Sequence, residues 1–291
     1  MNLKNIFSGA ALVGTALLAL CSLCCCSKEN SGKDEPEKET PSDLTVVKFN
    51  ADKKTVLHNP LNGWVMYGSG SGDPSYWDRE VYVSELGTNV KVRDYASASY
   101  IRTNWRTFNP EEGVYAWRDP STKLYKMIHG ALDRGLPIAF RVVVDGRDQG
   151  ENTPQFVFDH GATYWVQDAK YPQRKTPYPQ DPVFQEYYAK FIEELAKDFN
   201  DPDKTAFIDG YGLGKWGEGH NVVYENGNAI TDNTERLKYE VMDWITDVYS
   251  KNFTKVPLSI NYHRVIGHPA SDGAANPNSE KLLNLAVSKG Y

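Results

Sequence analysis

Short apolar runs alternate along the chain with longer segments whose apolar residues recur at helical spacing. We predict five strands from the short runs, at residues 63–68, 99–105, 136–144, 205–214 and 256–263. We predict helices at residues 121–134, 182–200, 233–251 and 278–288, and a helical region somewhere within residues 77–93. Asp181 is the expected N-cap of the helix at residues 182–200. Strands that alternate with helices are typical of βα units on a parallel sheet.

Five βα units fit either a doubly wound sheet or a (β/α)8 barrel. No Walker sequence follows any predicted strand, which disfavours nucleotide binding, and we predict no cofactor. Barrel enzymes build their sites where the strands end. Polar and aromatic residues gather at these ends: Asn104, Trp105, Asp145, Trp216, Glu218, Asn261 and His263. We therefore predict an α/β protein of the (β/α)8 TIM-barrel type, incomplete, with about five βα units in residues 44–291.

The first residues predict export. Residues 6–20 are apolar but shorter than a membrane span of about 20 residues, which is typical of a secretory signal. The four cysteines of the chain cluster directly after it. The segment resembles a bacterial lipoprotein signal at residues 1–25, which implies lipidation of Cys26. Residues 26–43 are charged and acidic, and we predict a disordered tether there.

This N-terminus predicts a lipid-anchored protein of the cell envelope, at the outer membrane or the cell surface. The Ser-Lys-Glu start of the tether resembles surface-export tethers of Bacteroidetes-type lipoproteins.

Charge and composition limit the classes of molecule that this chain is expected to bind. The formal net charge is −6 and no basic run occurs, which argues against nucleic acid. The chain has 7 Trp and 18 Tyr, an aromatic content typical of sugar-binding proteins, although aromatic residues also fill cores. No cysteine follows the N-terminal cluster and no HExxH sequence occurs, so we predict no metal site.

Several sequence stretches carry a family resemblance. They are NPLNGW at residues 59–64, IRTNWRTFNPEEGVYAW at residues 101–117, IAFRVVV at residues 138–144, TPQFV at residues 153–157 and WGEGH at residues 216–220. Together they resemble the N-terminal part of a (β/α)8 glycoside hydrolase of the large retaining clan. They are most similar to the β-galactosidase-like family 42 enzymes and to bacterial lipoproteins allied with them. The most specific stretch is a Trp-x4-Pro-x2-Gly-x-Tyr-x-Trp run that begins at Trp105.

The resemblance implies that Glu218 is the general acid/base. Five glycines between residues 210 and 219 would let the backbone leave the strand tightly and let a substrate approach. Trp216 would exclude water and offer a stacking face beside the acid. In the alternative interpretation, Glu218 caps a turn or is solvated. The clan has Asn directly before the acid/base, whereas this chain has Gly217.

The remaining candidates are sugar ligands at the strand ends. The substrate-binding set is Arg102, Asn104, Trp105, Asp145, Trp216, His220, Asn261 and His263. Arg102 would pair with a carboxylate near the strand ends or form a salt bridge inside the barrel. Asp145 would bind sugar hydroxyls or orient Arg102. We expect Arg141 to be structural, as a buried arginine that holds neighbouring acids, and Asp209 to be a buried partner of an arginine.

We therefore predict an envelope-anchored, glycoside hydrolase-like protein that acts on an oligo- or polysaccharide. A retaining enzyme needs a second carboxylate about 5–5.5 Å from the acid. The family carries that nucleophile on the seventh strand, and no residue here matches it, so we expect a missing C-terminal half. The alternatives are a non-catalytic glycan-binding lipoprotein, with Trp105 and Trp216 as stacking platforms, and a truncated pseudoenzyme.

Overall fold

The computed structural model describes residues 47–48, 63–68, 77–147, 150–219, 221–225, 232–261 and 277–291. The chain divides into two compact units, Met1–Lys53 and Lys54–Tyr291, and the elements given below lie in the second. The predicted signal, the tether and Cys26 lie outside the described residues.

The secondary structure alternates as the sequence pattern predicts. The strands are β1 (Trp64–Gly68), β2 (Glu80–Val83), β3 (Thr88–Lys91), β4 (Ala96–Asn104), β5 (Ile138–Val143), β6 (Tyr164–Val166), β7 (Lys175–Pro177), β8 (Thr205–Asp209) and β9 (Leu258–Ser259). The α-helices are α1 (Trp105–Phe108), α2 (Lys123–Leu132), α3 (Gln155–Asp159), α4 (Pro182–Phe199), α5 (Asp232–Asn252) and α6 (Pro277–Ser288). Four of the five predicted helices and the first three predicted strands are confirmed within a few residues at their ends. The last two predicted strands are present but shorter: β8 ends five residues before the predicted end at residue 214, and β9 has two residues of the predicted 256–263, of which residues 262–263 lie outside the described ones.

The central sheet is parallel and follows the order of the chain. Its strands are arranged β1-β4-β5-β8-β9, and every neighbouring pair is parallel. A doubly wound sheet reverses its strand order at a switch point, whereas consecutive βα units of a barrel do not. The predicted α/β class with five βα units of barrel type is therefore confirmed. Within the described residues the sheet is open, with β1 and β9 at its edges.

One face of this sheet carries the hydrophobic core. Ile101, Phe140, Ile208 and Leu258 are register partners on β4, β5, β8 and β9, and all four are buried. The ring of Phe140 lies 4.8 Å from that of Phe199 at the end of α4, in an edge-to-face contact. Successive side chains of a strand point to opposite faces of the sheet, and on β4 and β5 the residues that follow Ile101 and Phe140, Arg102 and Arg141, are only partly buried. That second face is where polar side chains are placed.

The helix predicted at residues 77–93 is wrong. The segment forms an antiparallel hairpin of β2 and β3, followed by a 3-10 helix at Val92–Asp94. Gly87 adopts φ +64°, a left-handed conformation that suits a tight turn, and its N–H donates to the Val83 carbonyl at 2.9 Å. The short β-branched segments on either side of this turn favour extended strands over a helix.

The long segment between β5 and α4 forms secondary structure of its own within residues 150–181. It contains α3 and the hairpin of β6 and β7, and it ends at Asp181. One Asp181 oxygen accepts a hydrogen bond from the Phe184 N–H at 2.9 Å, which confirms the predicted N-cap. Its other oxygen accepts from the Thr163 N–H at 3.0 Å and the Thr163 hydroxyl at 2.8 Å. Asp181 therefore ties the start of α4 to the segment before β6.

We predict that Asp181→Ala lowers the free energy of unfolding by about 2 kcal/mol, because a helix cap and two buried hydrogen bonds are lost together. Urea denaturation followed by circular dichroism measures the change. Asp203→Ala, at an exposed side chain in the loop before β8, is the matched control and should change stability by less than about 0.5 kcal/mol. Equal stability of the two variants would contradict the role given to Asp181.

Candidate functional site

A row of polar side chains crosses the second face of the sheet. Arg102, Arg141, Asp209 and Ser259 are register partners on β4, β5, β8 and β9, one residue along from the apolar row described above. Tyr100, two residues before Arg102, points to the same face. In a barrel this face is the interior, and the carboxyl ends of its strands carry the site. The row therefore forms the floor of the candidate site.

Asp209 is held by hydrogen bonds on both of its oxygens. The Arg141 Nε donates to Oδ2 at 2.8 Å, and the Ser259 hydroxyl donates to Oδ1 at 2.6 Å. The Tyr100 hydroxyl also donates to Oδ2. Burial, together with the negative charge of Asp209, raises the pKa of Tyr100 well above its usual value, so this hydroxyl keeps its proton. The predicted pairing of Asp209 with a buried arginine is confirmed.

Glu218 shares the same arginine. The Arg141 Nη1 donates to the Glu218 Oε1 at 3.0 Å, so one guanidinium joins two carboxylates. The side chains of Arg141 and Glu218 are 16% and 19% exposed, which strengthens their attraction relative to a surface pair and still leaves Glu218 in contact with solvent. The ion pair fixes Glu218 beside the carboxyl end of β8. This confirms the structural role predicted for Arg141.

The glycine-rich turn brings Glu218 to this position. Gly217 has φ +71°, and a Cβ added there would lie 2.9 Å from the carbonyl oxygen of Val142. The turn therefore packs against the backbone of β5 more closely than a residue with a side chain allows. Hydrogen bonds from Gly217 to Gly214 and from Glu218 to Lys215, both 3.1 Å, close it. The bare backbone around Glu218 is explained by this close approach.

Trp216 also has a left-handed backbone conformation, with φ +61°. This region is uncommon for a residue with a bulky side chain, and such strain is concentrated at functional sites. The ring is partly exposed, and the Lys215 ammonium lies 4.4 Å from its centroid. A stacking role for Trp216 stays a prediction.

Trp105 is a core residue, which corrects its prediction as a stacking platform. It is fully buried and begins α1 directly after β4. Its ring is surrounded by those of Phe156, Phe184, Tyr188 and Phe191, at centroid distances of 5.1 to 6.3 Å. No ring face is left for a sugar, because aromatic neighbours occupy its surroundings.

Asp145 is likewise structural, which corrects its prediction as a sugar ligand. It is 3% exposed and forms a salt bridge with Arg147. Its Oδ1 also accepts from the Arg147 N–H at 3.0 Å and from the Thr176 hydroxyl at 3.2 Å. These contacts hold the segment after β5 against β7. Its partners are therefore Arg147 and Thr176, and not Arg102.

Arg102 and Asn104 line an open pocket of about 260 Å³ at the carboxyl ends of β1, β4 and β5. The pocket residues are Tyr67, Arg102, Thr103, Asn104, Val143 and Asn152. The Arg102 Nη1 donates to the Tyr67 hydroxyl at 3.5 Å, a long contact. The Asn104 Oδ1 accepts from the Thr107 N–H at 2.7 Å and caps α1. The predicted pairing of Arg102 with a carboxylate is not formed within the part of the chain that the structure describes.

Sequence reasoning missed four residues of this pocket: Tyr67, Thr103, Val143 and Asn152. Tyr67 lies near the end of β1, so the rule that found the other strand-end residues could have found it. Asn152 lies in the segment after β5, where no periodic pattern indicates which side chains turn inward.

The remaining predicted residues are only partly placed. Asn261 is partly exposed and lies two residues after the end of β9. His220 and His263 lie outside the described residues. No group of three or more His, Cys, Asp or Glu side chains among the described residues could hold a metal ion. None of the helices in the described ranges is long and apolar enough to cross a membrane.

Comparisons with known proteins give remote matches only. No protein-family model matches the chain, and no curated protein matches it. Among solved structures, an endo-1,4-beta-xylanase from Caldicellulosiruptor owensensis has a TM-score of 0.41 and 11% identity, covering 68% of this chain and 51% of the xylanase. Endo-glycoceramidase II from Rhodococcus sp., as a lactosyl-enzyme intermediate, has a TM-score of 0.39 and 14% identity, covering 78% and 61%. This chain thus spans between half and about three-fifths of their length, and identities this low assign no function.

We predict that Gly217→Ala destabilises the protein more than Gly113→Ala. Both glycines have positive φ, +71° and +74°, so each variant loses about 1 kcal/mol to the left-handed conformation. Only at Gly217 would the added methyl group meet another atom, the Val142 carbonyl oxygen, whereas nothing lies within 4 Å at Gly113. We expect a further loss of about 1–2 kcal/mol in Gly217→Ala, measured by chemical denaturation. Equal losses would show that the turn does not depend on its contact with β5.

Proposed function

We propose that this protein acts on carbohydrate as a glycoside hydrolase-like protein, with Glu218 as the general acid/base. One observation carries the proposal: a partly exposed carboxylate is fixed by Arg141 at the carboxyl end of β8, on the polar face of the sheet. A site at this edge of a parallel sheet of barrel type is the usual place for catalysis. The sequence resemblance to family 42 β-galactosidase-like enzymes supports the same residue for the same role.

The chemistry follows from what a glycosidic bond needs. The leaving oxygen must receive a proton as the bond breaks, and a positioned carboxyl group supplies it in glycoside hydrolases. Arg141 fixes one oxygen of Glu218, so the direction of the carboxyl group is set before substrate arrives. Trp216, two residues earlier in the turn, would cover the reacting centre against water.

The sugar would be held at the same edge of the sheet. Arg102 and Asn104 line the pocket beside the polar row, and Asn261 lies at the end of β9. Guanidinium and amide groups donate to sugar hydroxyls, which suits them to orient a ring. His220 and His263, outside the described residues, complete the proposed set.

The proposal assigns the acid/base alone. A retaining mechanism needs a second carboxylate about 5–5.5 Å away. Asp209 shares Arg141 with Glu218, but Ser259, Tyr100 and Arg141 occupy its oxygens, which makes it a supporting residue. This commitment of Asp209 also favours a second candidate, a glycan-binding protein without turnover.

We predict that Glu218→Gln reduces hydrolysis of nitrophenyl β-galactosides by about 100-fold or more, because the amide cannot transfer the proton. Release of nitrophenol measures the rate, and the melting temperature shows whether the variant is folded. Glu111→Gln, an exposed residue in the loop after α1, is the matched control and should retain full activity.

Two outcomes would contradict the acid/base role. Hydrolysis that persists undiminished in Glu218→Gln excludes Glu218 from proton transfer. Glycan binding by the unaltered protein without any turnover identifies a binding protein, and the binding should then survive in Glu218→Gln.

We also propose that Cys26 carries a lipid that anchors the protein in the cell envelope, at the outer membrane or the cell surface. A diacylated and N-acylated cysteine places several acyl chains in the bilayer, and each buried CH2 contributes about 0.8 kcal/mol. The acidic segment that follows would then act as a tether.

We predict that Cys26→Ala moves the protein from the membrane fraction to the soluble fraction of a bacterial host that processes lipoproteins. Cys21→Ala, within the same cysteine cluster, should leave the protein in the membrane fraction. Fractionation followed by immunoblotting measures both. Membrane association that is unchanged in Cys26→Ala would refute the assignment of this cysteine.

A further inference from the structure

Two arginines stand side by side on the polar face but differ in their partners. Arg102 and Arg141 are register partners on β4 and β5, so their Cα atoms lie about 4.8 Å apart. Asp209 and Glu218 both neutralise Arg141. Arg102 forms no ion pair within the described residues, and its guanidinium donates only to the Tyr67 hydroxyl, at 3.5 Å. The positive charge of Arg102 is therefore unbalanced on its own strand and on β5.

This unbalanced charge is costly unless an anion meets it. Arg102 is only partly exposed, and cations that are withdrawn from water are normally paired. The charge faces the open pocket of about 260 Å³, which is below the roughly 300–1,000 Å³ of pockets for drug-sized ligands. Such a space suits one sugar ring. A ligand with a negative group would complete the ion pair that Arg102 does not form within the described residues.

The other walls of the pocket offer groups for sugar hydroxyls. Tyr67 contributes its phenol, and the Asn104 amide Nδ2 donates no hydrogen bond within the described residues. Asn152 is 1% exposed, and its Oδ1 has no hydrogen-bond partner in the described part of the chain. This oxygen is shielded from solvent, so Asn152 forms a wall of the pocket, and the contacts to sugar hydroxyls would come from Tyr67 and Asn104.

We propose that this pocket binds a sugar ring with an anionic substituent, a carboxylate or a sulfate ester, whose negative charge pairs with Arg102. The inference rests on the proposed function in taking the ligand to be a sugar. It deepens that function, because it names acidic glycans as the substrate class. The guanidinium presents a planar fork of donors that matches the oxygens of either anion.

Calorimetric titration of the full chain with D-galacturonate, D-galactose 6-sulfate and D-galactose tests the proposal. The three probes share the galactose ring and differ at its sixth carbon. We expect at least one acidic sugar to bind about tenfold or more tightly than galactose, because a charged hydrogen bond is added. The preference for galacturonate or for the sulfate ester then distinguishes the two anions. Added salt should weaken acidic sugars more than galactose.

Variants assign the preference to the pocket. Arg102→Gln should reduce the affinity for the acidic sugar to that for galactose, and Arg102→Lys, which keeps the charge without the fork, should give an intermediate affinity. Arg236→Gln, an exposed arginine on α5, is the matched control and should keep the full preference. Melting temperatures identify any variant that fails to fold. If Arg102→Gln does not fold, the reduced affinity of Arg102→Lys for the acidic sugar tests the proposal by itself.

The outcomes separate this proposal from the proposed hydrolysis. Equal affinities for the three sugars, no binding of either acidic sugar, or a preference that survives in Arg102→Gln would each overturn it. Binding requires no turnover, so Glu218→Gln should retain the preference. Hydrolysis without any charge preference would refute the acidic ligand and leave the acid/base role of Glu218 intact. A charge preference without hydrolysis would support the acidic ligand and refute the acid/base role.

Discussion

The guanidinium of Arg141 is the point on which the candidate site depends. A cation on the inner face of a sheet loses most of its hydration, and it is stable there only because two carboxylates surround it. The arrangement is reciprocal, since Asp209 and Glu218 would repel each other without the arginine between them. The site therefore requires that β5 and β8 pair in a register that sets Arg141 opposite Asp209. A one-residue slip would turn both side chains to the other face.

The opposite face makes that register possible. The same alternation that sets Arg141 and Asp209 on one side sets Phe140 and Ile208 on the other, in the core. Aromatic rings from the segments after β4 and from α4 close over this side, and Trp105 and Trp117 both contact the ring of Phe191. The Trp117 indole N–H also donates to Asp198 at 2.7 Å. Trp105 and Trp117, the two tryptophans of the predicted Trp-to-Trp run, thus pack on the core side of the sheet, opposite the polar row.

Much of this architecture could be predicted from the sequence, because local patterns determine it. Burial on both faces makes β5 almost continuously apolar, and the N-cap of α4 is a single well-placed aspartate. The expectation that Asp209 pairs with an arginine also followed from the scarcity of unpaired buried charges, although the sequence did not identify that arginine as Arg141. The hairpin of β2 and β3 was missed because short β-branched segments around a turn carry little periodicity.

The misplaced site residues share a different cause. Trp105 and Asp145 both follow a strand end, where alternation no longer decides the direction of a side chain. Trp105 turns back onto the core because a helix begins at that residue, and Asp145 turns onto β7 because Arg147 and Thr176 are there to meet it. The direction of each side chain depends on contact partners that are distant in sequence. The position at a strand end therefore could not show by itself whether a residue binds substrate or stabilises the fold. Within a strand the situation is the reverse, and alternation alone places Arg102 beside Arg141.

Arg141 and Arg102 differ in their partners on this face, and in our proposal Arg141 stabilises the site whereas Arg102 binds the ligand. Two carboxylates that both come from β8 and its following turn satisfy Arg141, which leaves its charge with no further ligand to attract. Arg102 lies one strand farther from that turn, beside a tyrosine and two amides, and these neutral groups cannot balance a full charge. Among the described residues, Asp209 and Glu218 both pair with Arg141, so in our proposal the neighbouring Arg102 meets a negative charge that the ligand supplies.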